Sequence, residues 1–120
     1  MAQYSHLAIY NKAFALLREF YLRVPKFSKQ YKYLLGERLI GDNIEIIRLI
    51  IRVNSERDNK RRIVLLENMC MAIESLIINI RIANELKQLG KESAYLYLSE
   101  IVVDLSKQAE GWRKYTPQNS

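Results

Sequence analysis

The chain has 120 residues and a mass of 14.2 kDa, room for one domain and hardly a second, and enough to bury a core without disulfide or metal staples. Hydrophobic residues make up 49% and charged residues 27%, which excludes an intrinsically disordered chain. Lys and Arg outnumber Asp and Glu by 19 to 13, a formal charge of +6 that favours polyanionic partners. Four Gly and two Pro are too few for a loop-rich β-sandwich, so long helices are favoured. The one cysteine, Cys70, excludes an internal disulfide and a Cys-rich metal site. Nothing from Met1 to Tyr10 reads as a secretory signal. The longest apolar runs, such as Ile44 to Val53, are broken by Glu45, Arg48 and Arg52. No membrane span is expected, and the cytoplasm is the expected location.

The first helical segment is expected from Ser5, its N-cap, to Val24. Leu7, Tyr10, Phe14, Leu17, Tyr21 and Val24 recur there at steps of three and four. Pro25 closes it, because the residue before proline is driven out of the α region. A basic connector leads to Ser28, the expected cap of a second helix reaching about Asn54. Its stripe is Tyr31, Leu34, Leu35, Leu39, Ile40, Ile44, Ile47, Ile50 and Ile51. The apolar phase runs on through Gly41-Asp42-Asn43, so one helix is preferred to two. Gly36 and Gly41 are read as points of close helix approach.

Ser55-Glu56-Arg57-Asp58 has capping-box character and opens a third helix. Ile63, Leu66, Cys70, Ile73, Ile77, Ile80 and Ala83 form its expected buried face, with Met69, Leu76 and Leu86 beside it, and Gly90 ends it in the left-handed conformation. A fourth helix turns Ala94, Leu98, Ile101, Leu105 and Trp112 inward and stops between Gly111 and Pro117. The expectation is an all-α protein, an antiparallel up-down-up-down four-helix bundle over residues 1–115 with a frayed polar tail at 116–120.

Catalytic machinery is missing from the pattern. His6 is the only histidine and has no second imidazole for a metal, and Cys70 sits on an apolar helix face. Gly36 to Gly41 lacks the lysine and the preceding strand of a phosphate loop. Glu67 and Glu74 have no histidines with which to build a di-metal site. No enzyme activity, cofactor or metal is expected.

The placement of positive charge is more informative. Arg23, Lys26, Lys29, Lys32 and Arg38 cluster around the first connector, interleaved with Tyr31 and Tyr33. Arg48, Arg52, Arg57, Lys60, Arg61 and Arg62 bracket the hairpin between the second and third helices. Arg48 and Arg52 share a helix face, where like charges repel by a few tenths of a kcal/mol. Lys60 to Arg62 lie near a helix N-terminus, where the macrodipole disfavours cations. A polyanion relieves both penalties, so these eleven positions are the candidate phosphate contacts for RNA or DNA. The opposing reading is a solvated surface paired locally to Glu56, Asp58 and Glu67. No base-reading helix-turn-helix is visible, so binding without base specificity is expected.

Eight tyrosines exceed what one small core can satisfy. With Ile78, Ile82, Leu89 and Val102, apolar residues off the main stripes, they suggest a second buried face and hence self-association.

Four segments carry a family resemblance: Val24-Pro25-Lys26, Tyr33-Leu34-Leu35-Gly36-Glu37-Arg38, Arg81-Ile82-Ala83-Asn84-Glu85-Leu86 and Glu110-Gly111-Trp112. In order and spacing they resemble the small four-helix-bundle family of Avd, the accessory variability determinant of diversity-generating retroelements. Proteins encoded in bacterial 23S rRNA intervening sequences form a related branch. The resemblance spans about residues 10–114 and fits the Avd branch better, because the Pro-Ala-Asn-Ile-Ala-Glu-Gly type segment of the rRNA branch has no counterpart between Leu39 and Asn54. The chain departs from the family in having Val24 where Phe usually precedes the proline motif, and in its glycine-poor approach, Leu105 to Glu110, to Trp112. The resemblance implies a non-catalytic homopentamer that binds nucleic acid and associates with a reverse transcriptase making mutagenic cDNA. The alternatives are an rRNA intervening-sequence protein and an oligomeric scaffold that binds only protein.

Overall fold

The fold rests on which residues each helix turns inward. It is described from a computed structural model covering residue 4 and residues 7–117. The expected cap Ser5, His6 and the end of the tail lie outside the described residues. Helix α1 is Ala8–Arg23, followed by a 3-10 turn, Val24–Lys26, with Pro25 in its first turn. A short α2, Lys29–Tyr31, runs through a π-helical stretch, Lys32–Gly36, into α3, Glu37–Ser55. Helices α4, Asn59–Glu85, and α5, Glu92–Tyr115, complete the chain. No strand occurs among the described residues. Four long helices pack against one another in the pairs α1–α3, α3–α4, α4–α5 and α1–α5. At 1.5 Å per residue the 27-residue α4 spans about 40 Å, most of the 48 Å length of the molecule.

The expected stripe of α1 is real, but its centre faces away from the core. Ile9, Ala13, Leu16 and Phe20 are the buried residues, whereas Phe14 is 38% and Tyr21 55% exposed. Both sets obey helical spacing, and the small Ala13 hid the inner one. The second stripe is rotated in a similar way. Leu35, Leu39, Asn43, Ile46, Leu49, Ile50 and Val53 point inward, Leu34 is exposed, and Ile40, Ile44, Ile47 and Ile51 are half-buried. The wider turn of the π-helical stretch shifts the phase between Tyr31 and Leu35.

Gly41 lies within continuous α3, as expected, but no atom approaches where its side chain would be, so close packing is not its reason. Gly36 does fit that reason: a Cβ there would overlap Val24 Cγ1 of the 3-10 turn. The buried face of α4 centres on Leu65, Leu66, Met69, Ile73, Leu76, Ile80 and Ala83, leaving Ile63, Cys70 and Ile77 at its edge and Leu86 exposed. By length and composition alone α4 is apolar enough to cross a membrane, although charged residues interrupt its apolar runs. Here one face of it packs on α3 and α5, while Val64, Met71 and Ile78 on another face stay exposed. Of the residues expected inward on α5, Leu98, Ile101 and Leu105 are buried and Ala94 and Trp112 are partly buried against the core, while Val102 and Ala109 join the buried set.

Two buried asparagines join helices to one another. Asn43 is fully buried; with its amide turned so that nitrogen faces the acceptor and oxygen the donor, it donates to the Ala13 carbonyl at 3.0 Å and accepts from the Leu17 N–H at 3.3 Å, tying α3 to the backbone of α1. Asn79 Nδ2 donates to Asp42 Oδ2 at 3.0 Å, joining α4 to α3. Buried polar groups are tolerated because they are paired.

Helix ends also differ from expectation. Ser28 holds the cap position of α2, but its carbonyl rather than its hydroxyl accepts from Tyr31 and Lys32. The cap of α4 is Asp58, whose Oδ2 accepts the Arg61 N–H at 3.0 Å; Ser55 Oγ instead donates back to the Ile51 carbonyl. Helix α4 ends in a Schellman arrangement, Gln88 N–H to Ala83 O and Lys87 N–H to Asn84 O, both 2.9 Å. Lys87, not Gly90, occupies the left-handed position that closes α4, with φ 59°; Gly90, at φ 81°, lies in the following loop. A side chain in that region costs roughly 1–2 kcal/mol, partly offset by the entropy glycine loses on folding. Lys87→Gly should therefore raise stability by about 0.5–1 kcal/mol in urea unfolding. Thr116, assigned to the tail, is buried, its hydroxyl donating to the Trp112 carbonyl at 2.8 Å.

Candidate nucleic-acid interface

The candidate cations sort by what their helices make them face. At the first connector, Arg23 is half-buried and its Nε donates to Glu19 Oε1 at 3.1 Å, so its charge is already matched. Lys26, Lys29 and Arg38 are exposed, and Lys32 is half-buried in the π-helical stretch. Arg23 also lines a cleft of about 350 Å³ with Lys91 and Tyr97 from α5. Lys91 is far away in sequence and was not among the candidates. The neighbouring loop is held in place by Gln88, whose Oε1 accepts the Ser28 N–H at 2.7 Å.

At the second connector the cations converge. Arg52 from the last turn of α3 and Lys60 and Arg61 from the first turn of α4 line one cleft of about 360 Å³ with Glu56, Val64 and Leu65. The tight turn at 56–58 brings the two helix ends together. Glu56 is partly occupied, its Oε2 accepting the Asp58 N–H at 3.1 Å. Arg48, one turn before Arg52, is exposed and only loosely held by Glu45 at 3.8 Å. Arg57 is exposed on the turn itself. Of all the candidates, Arg23 and Arg48 alone are ion-paired among the described residues. The expected pairing to Glu56, Asp58 and Glu67 is therefore not seen at this end among the described residues, and Arg52, Arg57, Lys60 and Arg61 are left to solvent. An unpaired guanidinium at a helix N-terminus, as at Arg61, is an unfavourable arrangement that a phosphate would reverse.

Arg62 behaves differently. One residue further around α4, it turns toward α5, where its guanidinium lies 5.8 Å from the Trp112 ring centroid and its Nε is shielded from solvent. Stacking of this kind commits part of the Arg62 side chain to internal packing.

On the flank of α4, Cys70 is half-buried beside Glu110 and Arg113 of α5. Withdrawal from water, reinforced by a hydrogen bond to Glu110 and its negative charge, pushes the thiol up to about 11. Arg113, 2.7 Å from Glu110, holds that carboxyl below its ordinary range, and the Cys70 bond adds to the effect. Because the folded value for Cys70 exceeds the ordinary 9.0, its contribution to stability is complete below pH 9 and is lost as pH rises toward 11. Thermal melts should show wild type losing ground to Cys70→Ser between pH 9 and 11; parallel curves would contradict this. Among the described residues no three His, Cys, Asp or Glu side chains gather as a metal site.

No protein-family model matches this chain, and no curated protein is significantly similar to it.

Proposed function

We propose that this protein is a non-catalytic accessory subunit that grips the phosphate backbone of nucleic acid. We place it with the Avd-like proteins of diversity-generating retroelements, acting in the cytoplasm beside a reverse transcriptase, its template RNA and cDNA. The observation that carries the reading is the convergence of Arg52, Lys60 and Arg61 on one cleft without ion-paired carboxylates. Such a cluster fits phosphates and offers no base-edge geometry, so affinity should be high at low salt and indifferent to sequence. Exposed Lys26, Lys29 and Arg38 would form a separate patch.

The subunit is read as an up-down-up-down bundle. Two juxtapositions support this: Arg62 near the start of α4 stacks on Trp112 near the end of α5, and Arg23 at the end of α1 lines one cleft with Lys91 just before α5. Self-association, as a pentamer by the family resemblance, is supported by exposed apolar side chains such as Leu34, Met71 and Ile78.

Co-purification with a candidate retroelement reverse transcriptase tests the assignment. The expected result is a stable complex that retains template RNA. Capture of the polymerase without nucleic acid, together with no retention of RNA on filters at low salt, would favour the protein-only scaffold.

A further inference from the structure

The cleft beside Arg23 is built differently from the cationic cleft at Arg52, and lies beyond the far end of the 27-residue α4. Its lining comes from three places that the fold brings together. Arg23 is the last residue of α1, Leu89 and Lys91 belong to the loop after α4, and Ser93, Ala94 and Tyr97 share one face of α5 at three- and four-residue spacing. The loop is fixed. Leu89 is buried in the core, and the Gln88 side chain accepts the Ser28 N–H at 2.7 Å and donates to the Leu86 carbonyl at 2.8 Å. The cleft is therefore in place before any ligand arrives.

Donors and aromatic surface line the same space. Glu19 matches the charge of Arg23 but takes only its Nε, at 3.1 Å. Both terminal amino groups of Arg23 are left without a partner among the described residues, on a guanidinium held in one orientation. Lys91 is exposed and has no ion pair among the described residues, and the Ser93 hydroxyl has no hydrogen-bond partner among them. Glu92, between the two in the chain, does not line the cleft. Tyr97 is 47% exposed and makes no ring contact among the described residues. A phosphate alone would use the cations and leave the ring idle, and an apolar ligand would do the reverse. A nucleotide uses both, its phosphate oxygens accepting from Arg23, Lys91 and Ser93 while the base lies on Tyr97. About 350 Å³ is at the small end of ligand clefts, room for one nucleotide and not for a duplex. Within a duplex each base is stacked and paired, and turning one out is costly.

We infer that this cleft takes one unpaired nucleotide of a single strand, its base on Tyr97 and its phosphate on Arg23, Lys91 and Ser93. The inference rests on the nucleic-acid reading and adds a contact that only an unpaired strand makes. The Arg52 cleft, which has no aromatic residue, does not supply that contact. Every base has a face to stack, so the site is indifferent to sequence.

The test measures affinity for a single-stranded oligonucleotide and for a duplex of the same sequence and length, with folding of each variant checked by circular dichroism. Tyr97→Ala should weaken single-strand binding by about 10-fold and leave duplex binding unchanged. Tyr97→Phe, which keeps the ring, should bind like wild type. A strand lacking bases should bind wild type and Tyr97→Ala equally. Replacing Arg52, Lys60 and Arg61 should weaken binding to both polymers, which separates the two clefts. Equal losses on both polymers in Tyr97→Ala, no loss on either, or a Tyr97→Phe as weak as Tyr97→Ala would overturn the site. So would displacement of the strand by an equal concentration of a free nucleoside monophosphate, which would assign the cleft to a free nucleotide. Wild type that binds neither polymer would instead overturn the phosphate-gripping reading itself.

Discussion

Replacing Arg52, Lys60 and Arg61 together with glutamine is expected to weaken RNA and DNA binding alike and to lower the slope of log affinity against log salt by about 2–3. Each phosphate contact contributes about 0.9 to that slope on duplex and about 0.7 on single strands, through release of condensed counterions. A fourfold rise in salt would then cost wild type about 40-fold more affinity than the variant on duplex and about 20-fold more on single strands. The three side chains line one cleft and lack ion pairs, so their removal should subtract contacts without exposing a buried partner. Arg62→Gln is the informative comparison. Its guanidinium faces Trp112, so the salt slope should hold while stability falls by about 1 kcal/mol. Equal slope changes in both variants would mean that the charge run acts as a diffuse field rather than through the cleft.

Asn43→Asp should cost about 3–5 kcal/mol at neutral pH, a large share of the stability of a domain this size. Asn43 is fully buried, and its amide both donates to the Ala13 carbonyl and accepts from the Leu17 N–H. A carboxylate can accept but cannot donate, so an anion would face the Ala13 carbonyl in a place without water. Burial raises the folded pKa of the new acid above its unfolded value, near 3.9. The variant should therefore be closest to wild type below that value, and the deficit should grow as pH rises through the folded pKa. Urea unfolding at pH 3.5 and pH 7 measures both ends; a deficit independent of pH would mean that Asn43 acts by shape alone.

These two predictions mark the boundary of what could be read before any fold was known. The four long helices were legible because their apolar periods run for many turns. Which side of α1 faces inward was not. A helix with Tyr10, Phe14, Leu17 and Tyr21 on one face and Ile9, Ala13, Leu16 and Phe20 on another has two valid periods, and the larger side chains drew the eye to the outer one. Ahead of α3 the π-helical stretch at Lys32–Gly36 breaks the arithmetic of 3.6 residues per turn, so a phase counted from Tyr31 drifts. Asn43 and Asn79 were missed because asparagine is mostly a surface residue; only the backbone of α1 and the carboxylate of Asp42 explain them.

Surplus apolar surface was anticipated correctly from Ile78 and Ile82, which stay exposed, whereas Leu89 and Val102 are used by the chain's own core. At the interface, the two charge groups were plain in the sequence, but the sorting within them was not. Lys60 and Arg61 open into the cleft and Arg62 turns away because successive helical residues diverge by about 100°. Lys91 joins Arg23 only through tertiary packing, which no local pattern announces.

The most direct measurement is the affinity of the wild-type protein for unrelated RNA and DNA oligonucleotides of one length, titrated from about 50 to 200 mM salt. The account predicts tight binding at the low end, a steep linear fall in log affinity, and lines that nearly coincide for different sequences. Affinity that ignores salt, or a single sequence held far above the rest, would contradict it.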